Sequence, residues 1–156
     1  MQHTRRSGKR AARGTLAIAA ALLASHATAQ TPEVIGLHIA SHHLSTAPAY
    51  IGEWNDNNPG VYARWSNGFT AGTLRNSERR QSAYVGWTFE HPLTRGVTGA
   101  ITVGGITGYS DPVSPLVAVS ASTRLTDRLA ARVSWLPKAR YDGSHAFHLS
   151  VEWSLK

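Results

Sequence analysis

Beyond the first thirty residues the sequence alternates apolar and polar side chains with a period of two, in short runs broken by Gly, Pro, Asn and Asp. That is the pattern of strands with one apolar face, and a helical period is almost absent. In the clearest run Ala83, Val85, Trp87 and Phe89 share one face, while Tyr84, Gly86, Thr88 and Glu90 share the other. The last run is as regular, with Phe147, Leu149, Val151, Trp153 and Leu155 alternating against His148, Ser150, Glu152 and Ser154. Further strands are expected from Val34 to His43, Gly60 to Trp65, Phe69 to Asn76, Val97 to Thr107, Leu116 to Leu125 and Leu129 to Leu136, about eight in all. Ser66-Asn67-Gly68 reads as a tight hairpin turn, Thr126-Asp127-Arg128 as a short connection and Tyr141-Asp142-Gly143-Ser144 as a loop. The expected fold is all-β, a small antiparallel up-and-down β-barrel of about eight strands, with short turns and longer loops alternating as in outer-membrane barrels.

Two kinds of barrel carry such strands. In a soluble lipocalin-like barrel the apolar face lines a cavity; in a membrane barrel it meets lipid and the polar face fills the lumen. The apolar face here carries Trp65, Trp87, Trp135 and Trp153, mostly toward strand ends, where aromatic side chains form interfacial girdles. This favours the membrane barrel over a soluble barrel or sandwich. No later stretch approaches the ~18 consecutive apolar residues of a spanning helix, so strands are the way such a chain crosses a bilayer.

Residues 1–29 read as a secretory signal, which leaves 30–156 as the barrel domain. Arg5, Arg6, Lys9, Arg10 and Arg13 form a basic region, Thr15 to Ala24 is apolar but too short to span, and Ala27-Thr28-Ala29 is a cleavage site. Those five cations account for most of the formal charge of +7, which falls to about +2 from Gln30 onward. The basic balance therefore gives no argument for nucleic acid as a partner. With no cysteine in an exported chain, stability must come from a core, closed hydrogen bonding or lipid. A monomeric barrel in a bacterial outer membrane is expected.

Several polar groups are candidates for chemistry. His38, His42 and His43 lie close together and are considered as metal ligands, although no cysteine or carboxylate cluster accompanies them. Asn76-Ser77, ending the third strand, is either a turn in which side chains bond their own backbone or a hydroxyl placed at the barrel rim. His148, Ser150 and Glu152 put a base, a hydroxyl and a carboxylate on one strand face. They are a possible hydrolytic set, for instance for lipid A deacylation, or a polar lumen wall. Successive same-face residues are spaced ~6.6 Å along a strand, which strains a working triad.

A histidine ending the first strand is followed by the Asn-rich stretch Asn55-Asp56-Asn57-Asn58-Pro59-Gly60 and then by Arg75-Asn76-Ser77. Tyr84-Val85-Gly86-Trp87, Pro112-Val113-Ser114-Pro115-Leu116 and Ser134-Trp135-Leu136-Pro137 come next in order. In this order of motifs, spread over roughly Ser41 to Lys156, the chain resembles the outer-membrane lipid A palmitoyltransferase family, PagP. The resemblance implies an eight-stranded barrel that moves a palmitoyl chain from a phospholipid to lipid A without a cofactor. Histidine, aspartate and serine at the outer rim would carry catalysis, and the interior would hold the acyl chain. The serine corresponds to Ser77. The histidine corresponds to His43 by the Ser-x-His spelling, or to His42 by strict alternation with His38 and the distance to Pro59.

The chain departs from that pattern in having Asn76 where the family has Asp, and in lacking the family's N-terminal amphipathic helix. Asn76 can position a neighbour but cannot act as an ionised partner. Pro115 and Pro137 are expected to weaken hydrogen bonding between neighbouring strands and so admit lipid sideways. Gly99, Gly104, Gly105 and Ala118 are expected either to leave interior room for an acyl chain or to bend strands. The alternative to an enzyme is a barrel of this kind without chemistry, serving a structural or lipid-binding role.

Overall fold

The computed structural model describes residues 31–138 and 143–156. The expected signal and the first half of the Tyr141–Ser144 loop lie outside them. From Pro32 onward the chain forms one compact unit. It is an eight-stranded antiparallel barrel: β1 (Val34–His43), β2 (Asn57–Arg64), β3 (Phe69–Arg75), β4 (Gln81–Thr94), β5 (Val97–Ile106), β6 (Ser114–Arg124), β7 (Leu129–Leu136) and β8 (Ala146–Ser154). Each strand pairs with the next, and β1 pairs with β8 to close the sheet. Closure leaves no strand edge unpaired along its length by default, so any gap in the ladder is a local feature with a local cause.

The connections alternate in length. The β2–β3, β4–β5 and β6–β7 turns are short and share one end with the start of β1 and the finish of β8; the other end carries the four remaining loops. At the short end Gly68 takes a left-handed φ of 82°, as a tight hairpin requires. The β4 strand runs on to Thr94, beyond the Glu90 at which its alternating run ends. Its pairing with β3 ends at Trp87, whereas pairing with β5 continues through Pro92↔Thr98. Pro92 is thus accommodated where β4 has outrun one neighbour, the position at which a strand tolerates a missing N–H.

Side chains partition as the alternation predicts, with the apolar set outward. Leu37, Val61, Val85, Trp87, Phe89, Ile101, Val103, Val119, Val133, Trp135, Phe147, Leu149 and Trp153 are exposed around the wall. Arg64, Thr70, Thr88, Ser120, Arg132, Ser150 and Glu152 are buried inside it. An eight-stranded barrel is just wide enough for such side chains to fill. Toward the short-turn end the filling is ionic. Glu152 Oε1 accepts hydrogen bonds from Arg64 (2.7 Å), Arg132 Nε (2.8 Å) and Tyr62 (2.7 Å), and Glu90 bridges the same two arginines. Two cations thus face two carboxylates, the condition under which buried charge is tolerated. Above this cluster His38 bonds His148 (2.8 Å) and Tyr84 (3.0 Å), and the three line a space of about 100 Å³ in the mid-barrel.

Candidate functional site at the loop end

Above the His38 layer the interior opens into a cavity of about 320 Å³. Leu74, Ile106, Leu116, Leu136 and Ala146 give it an apolar lining, and His43, Asn76, Ser77, Tyr109 and Ser114 add polar groups. The β1–β2 loop contributes Tyr50, Ile51 and Trp54. That loop is tied to the β3–β4 loop by the Asn55 N–H bond to the Ser77 carbonyl (2.9 Å) and the Asn55 amide bond to the Asn76 carbonyl (3.0 Å). Asn58, fully buried, donates to the carbonyls of Asn55 (3.1 Å) and Arg75 (3.0 Å). The Asn-rich stretch is therefore a backbone scaffold that fixes the two loops to each other.

A β-bulge in β1 decides which histidine enters the cavity. The register slips between His38 and Ala40: against β8 Ile39 is an extra residue, against β2 the extra residue falls on β2 between Asn57 and Gly60, and the inward phase of β1 changes from His38 to Ser41 and His43. His42 consequently lies on the exposed face, and strict alternation from His38 fails at this point. His43 Nδ1 lies 2.5 Å from Asp56 Oδ1, and its ring stacks on Trp54 at 5.0 Å between centroids. A carboxylate accepts, so Nδ1 is the donor of this bond, and in the neutral ring the lone pair is then on Nε2, the tautomer of a general base. The His43 side chain is 8 % exposed and that of Asp56 51 %. The carboxylate thus keeps its solvation while holding a buried imidazole.

Ser77 lines the same cavity and hydrogen-bonds the Tyr109 phenol, whose pKa is raised by burial and partly lowered again by that bond. Asn76 is occupied otherwise. Its Nδ2 donates to Ser82 Oγ (3.0 Å) and the Gly108 carbonyl (2.9 Å), and its Oδ1 accepts from the N–H groups of Glu78 and Arg80 (2.9 Å each). Both donors and both lone pairs are used in holding the β3–β4 turn, so Asn76 is a turn residue and makes no bond to His43. The carboxylate beside the histidine is Asp56, which the sequence presents only as one residue of the Asn-rich stretch. Its signal was that it is the single acid in that stretch, thirteen residues from His43.

His148, Ser150 and Glu152 face inward but make no triad. His148 bonds His38, Ser150 lies 3.4 Å from the Tyr62 hydroxyl, and Glu152 is held by arginines. The polar lumen wall is the description that fits them. Among the described residues no group of three or more metal-ligating side chains comes together, so His38, His42 and His43 form no metal site there.

The barrel wall beside the cavity is incomplete. Residues Ser114 to Ala118 of β6 pair with β5, but the β6–β7 register begins only at Val119↔Trp135. Pro115 lies in this unpaired stretch and Pro137 directly follows β7, so both sit where the ladder stops. Pro115 and Val117 point outward along β6 yet also line the cavity, which therefore reaches the outer surface through this seam. The expected interior room from glycine is smaller. Gly99 and Gly105 belong to the outward set of β5, where an added Cβ would meet Leu93 and Val113, both exposed. Gly104 does face inward, but it closes a tight pair with Gly86.

No protein-family model matches the sequence, and no curated protein matches it significantly. Among solved structures it is similar to a chain described as "De novo design of transmembrane beta-barrels", with a TM-score of 0.58 and 12 % identity over 81 % of this chain and 98 % of that one. A second, described as "Solution NMR structure of de novo designed TMB2.3", matches with a TM-score of 0.56 and 8 % identity over the same shares. At such identities the likeness establishes the barrel fold alone.

Proposed function

We propose that this protein is an outer-membrane acyltransferase that moves a fatty-acyl chain from a phospholipid to lipid A or a related envelope lipid. The observation that carries the reading is a buried histidine oriented by a carboxylate, His43 with Asp56, inside an apolar cavity that opens sideways between β6 and β7. The outward apolar wall, and the likeness to designed transmembrane barrels, support a site reached from within a bilayer. The PagP-like order of Asn-rich stretch, Asn76-Ser77 and later prolines supports lipid A as acceptor.

In this mechanism the donor lipid enters at the seam with its ester near His43. Nε2 removes the proton from an acceptor hydroxyl as that oxygen attacks the ester carbonyl, and the imidazolium then returns the proton to the departing lysophospholipid oxygen. One ester bond forms, one breaks, and no proton is lost. Asp56 fixes the imidazole tautomer and stabilises the transient cation. The Ser77 and Tyr109 hydroxyls orient the reacting groups. The acyl chain would lie in the 320 Å³ cavity, near the low end of ligand pockets, and a second space of about 100 Å³ lined by His38, Tyr84 and Ala118 adjoins it along Leu74, Ile106, Leu116, Leu136 and His148.

The test is the mass of lipid A from a Gram-negative host lacking its own lipid A palmitoyltransferase. The expected result is one added acyl chain with the wild-type protein, and a rate lower by at least about 10²-fold for His43→Ala. Unchanged lipid A in cells whose outer membrane holds the folded protein would reject the enzyme and leave the structural or lipid-binding barrel.

A further inference from the structure

We infer that Ser114 is the group that anchors the ester carbonyl of a diacyl phospholipid at the lateral mouth of the cavity, an assignment that rests on the acyl-transfer reading. Ser114 is the first residue of β6 and is 6 % exposed. Its Oγ is the one buried side-chain polar atom without a hydrogen-bond partner among the described residues. A buried hydroxyl left in that state costs free energy, which a ligand in the cavity would recover. The other polar groups around it already have a hydrogen-bond partner within the protein. Ser41 bonds Asn58, His43 bonds Asp56, Asn76 holds its turn and Ser77 bonds Tyr109.

The surroundings specify the ligand chemistry. Ser114 pairs in register with Ile106 and is followed by Pro115, at the end of β6 that lacks a β7 partner. Leu116, Leu136 and Pro137 make the nearby lining apolar. A neutral hydroxyl among hydrocarbon suits a neutral acceptor. A phosphate instead draws Arg, Lys or clustered backbone N–H groups, and among the described lining residues the one Arg or Lys is Lys138, which follows Pro137 past the end of β7. The ester of a phospholipid is such an acceptor, placed between an apolar chain that fits the cavity and a headgroup that stays outside. The Ser114 O–H donates to the ester carbonyl oxygen, holding the carbon that the acceptor attacks.

The experiment uses the full mature chain in detergent with phosphatidylethanolamine carrying ¹³C at both ester carbonyls. The infrared carbonyl band is read for wild type, Ser114→Ala and Ser114→Thr, and heat-modifiable migration confirms that each is folded. A downshifted, hydrogen-bonded band is expected in wild type and Ser114→Thr and is expected to be lost in Ser114→Ala. Acyl transfer should fall about ten-fold in Ser114→Ala, the size of one neutral hydrogen bond, and return in Ser114→Thr. The shifted band without any transfer by wild type would reject the enzyme but keep the Ser114 contact. An identical band in folded wild type and Ser114→Ala would overturn the Ser114 assignment, whatever the transfer result.

Discussion

At the scale of single residues, the site separates groups that hold the backbone from groups with bonding capacity left for a substrate. Asn76 belongs to the first kind, with two donors and two acceptor positions all satisfied inside its turn. Replacing it by Asp restores the carboxylate of the PagP pattern but removes both donors. It also aims an anion at the Gly108 carbonyl and at Ser82 Oγ, which already donates to the Thr107 carbonyl (2.6 Å). Asn76→Asp should therefore lower stability by at least about 2 kcal/mol without raising acyl transfer. Urea unfolding in lipid vesicles measures the first and lipid A mass the second; an unchanged midpoint with higher transfer would return Asn76 to the catalytic set. The sequence made Asn76, Ser77 and a nearby histidine visible as candidates because short polar residues at a strand end stand out. It did not expose Asp56, whose partnership with His43 depends on how the β1–β2 loop folds back.

At the scale of strands, nearly every element was legible from alternation, and the misreadings share a cause. Periodicity assumes an uninterrupted pleat. The bulge at Ile39 breaks it, turning His42 out and His43 in, and no feature of Val34–His43 announces the extra residue. The inward or outward facing of glycines is similarly hidden, since a glycine adds nothing to a hydrophobic pattern. Gly104 and Gly105 make the difference testable. A Cβ at Gly104 would lie 2.1 Å from the Val85 carbonyl oxygen and 2.7 Å from Gly86 Cα, both backbone atoms of the paired strand. At Gly105 it would meet the Val113 side chain at 3.0 Å, a contact that a rotamer change relieves. Gly104→Ala should accordingly abolish or strongly reduce the folded, heat-modifiable band on refolding into vesicles, and Gly105→Ala should leave it near wild type. Equal refolding of the two would contradict the assigned strand faces.

At the scale of the whole molecule, the organising feature is a polar, ion-paired interior inside an apolar wall, with the functional cavity confined to the loop end. The arginine and glutamate cluster fills the opposite end, and a smaller space of about 100 Å³ lies between it and the loop-end cavity. In the proposed chemistry the lipid comes through the β6–β7 seam, which makes hydrocarbon around the wall a condition of it. The most direct measurement is fluorescence quenching by brominated phospholipids in vesicles, using variants that retain one tryptophan each. Trp87, Trp135 and Trp153 are exposed on the wall, whereas Trp54 is stacked on His43 at the cavity. Strong quenching of the three wall tryptophans with little effect on Trp54 is the expected result. If the wall tryptophans were unquenched and the protein stayed a folded monomer in buffer without lipid or detergent, the outward face would not meet hydrocarbon and the account would fail.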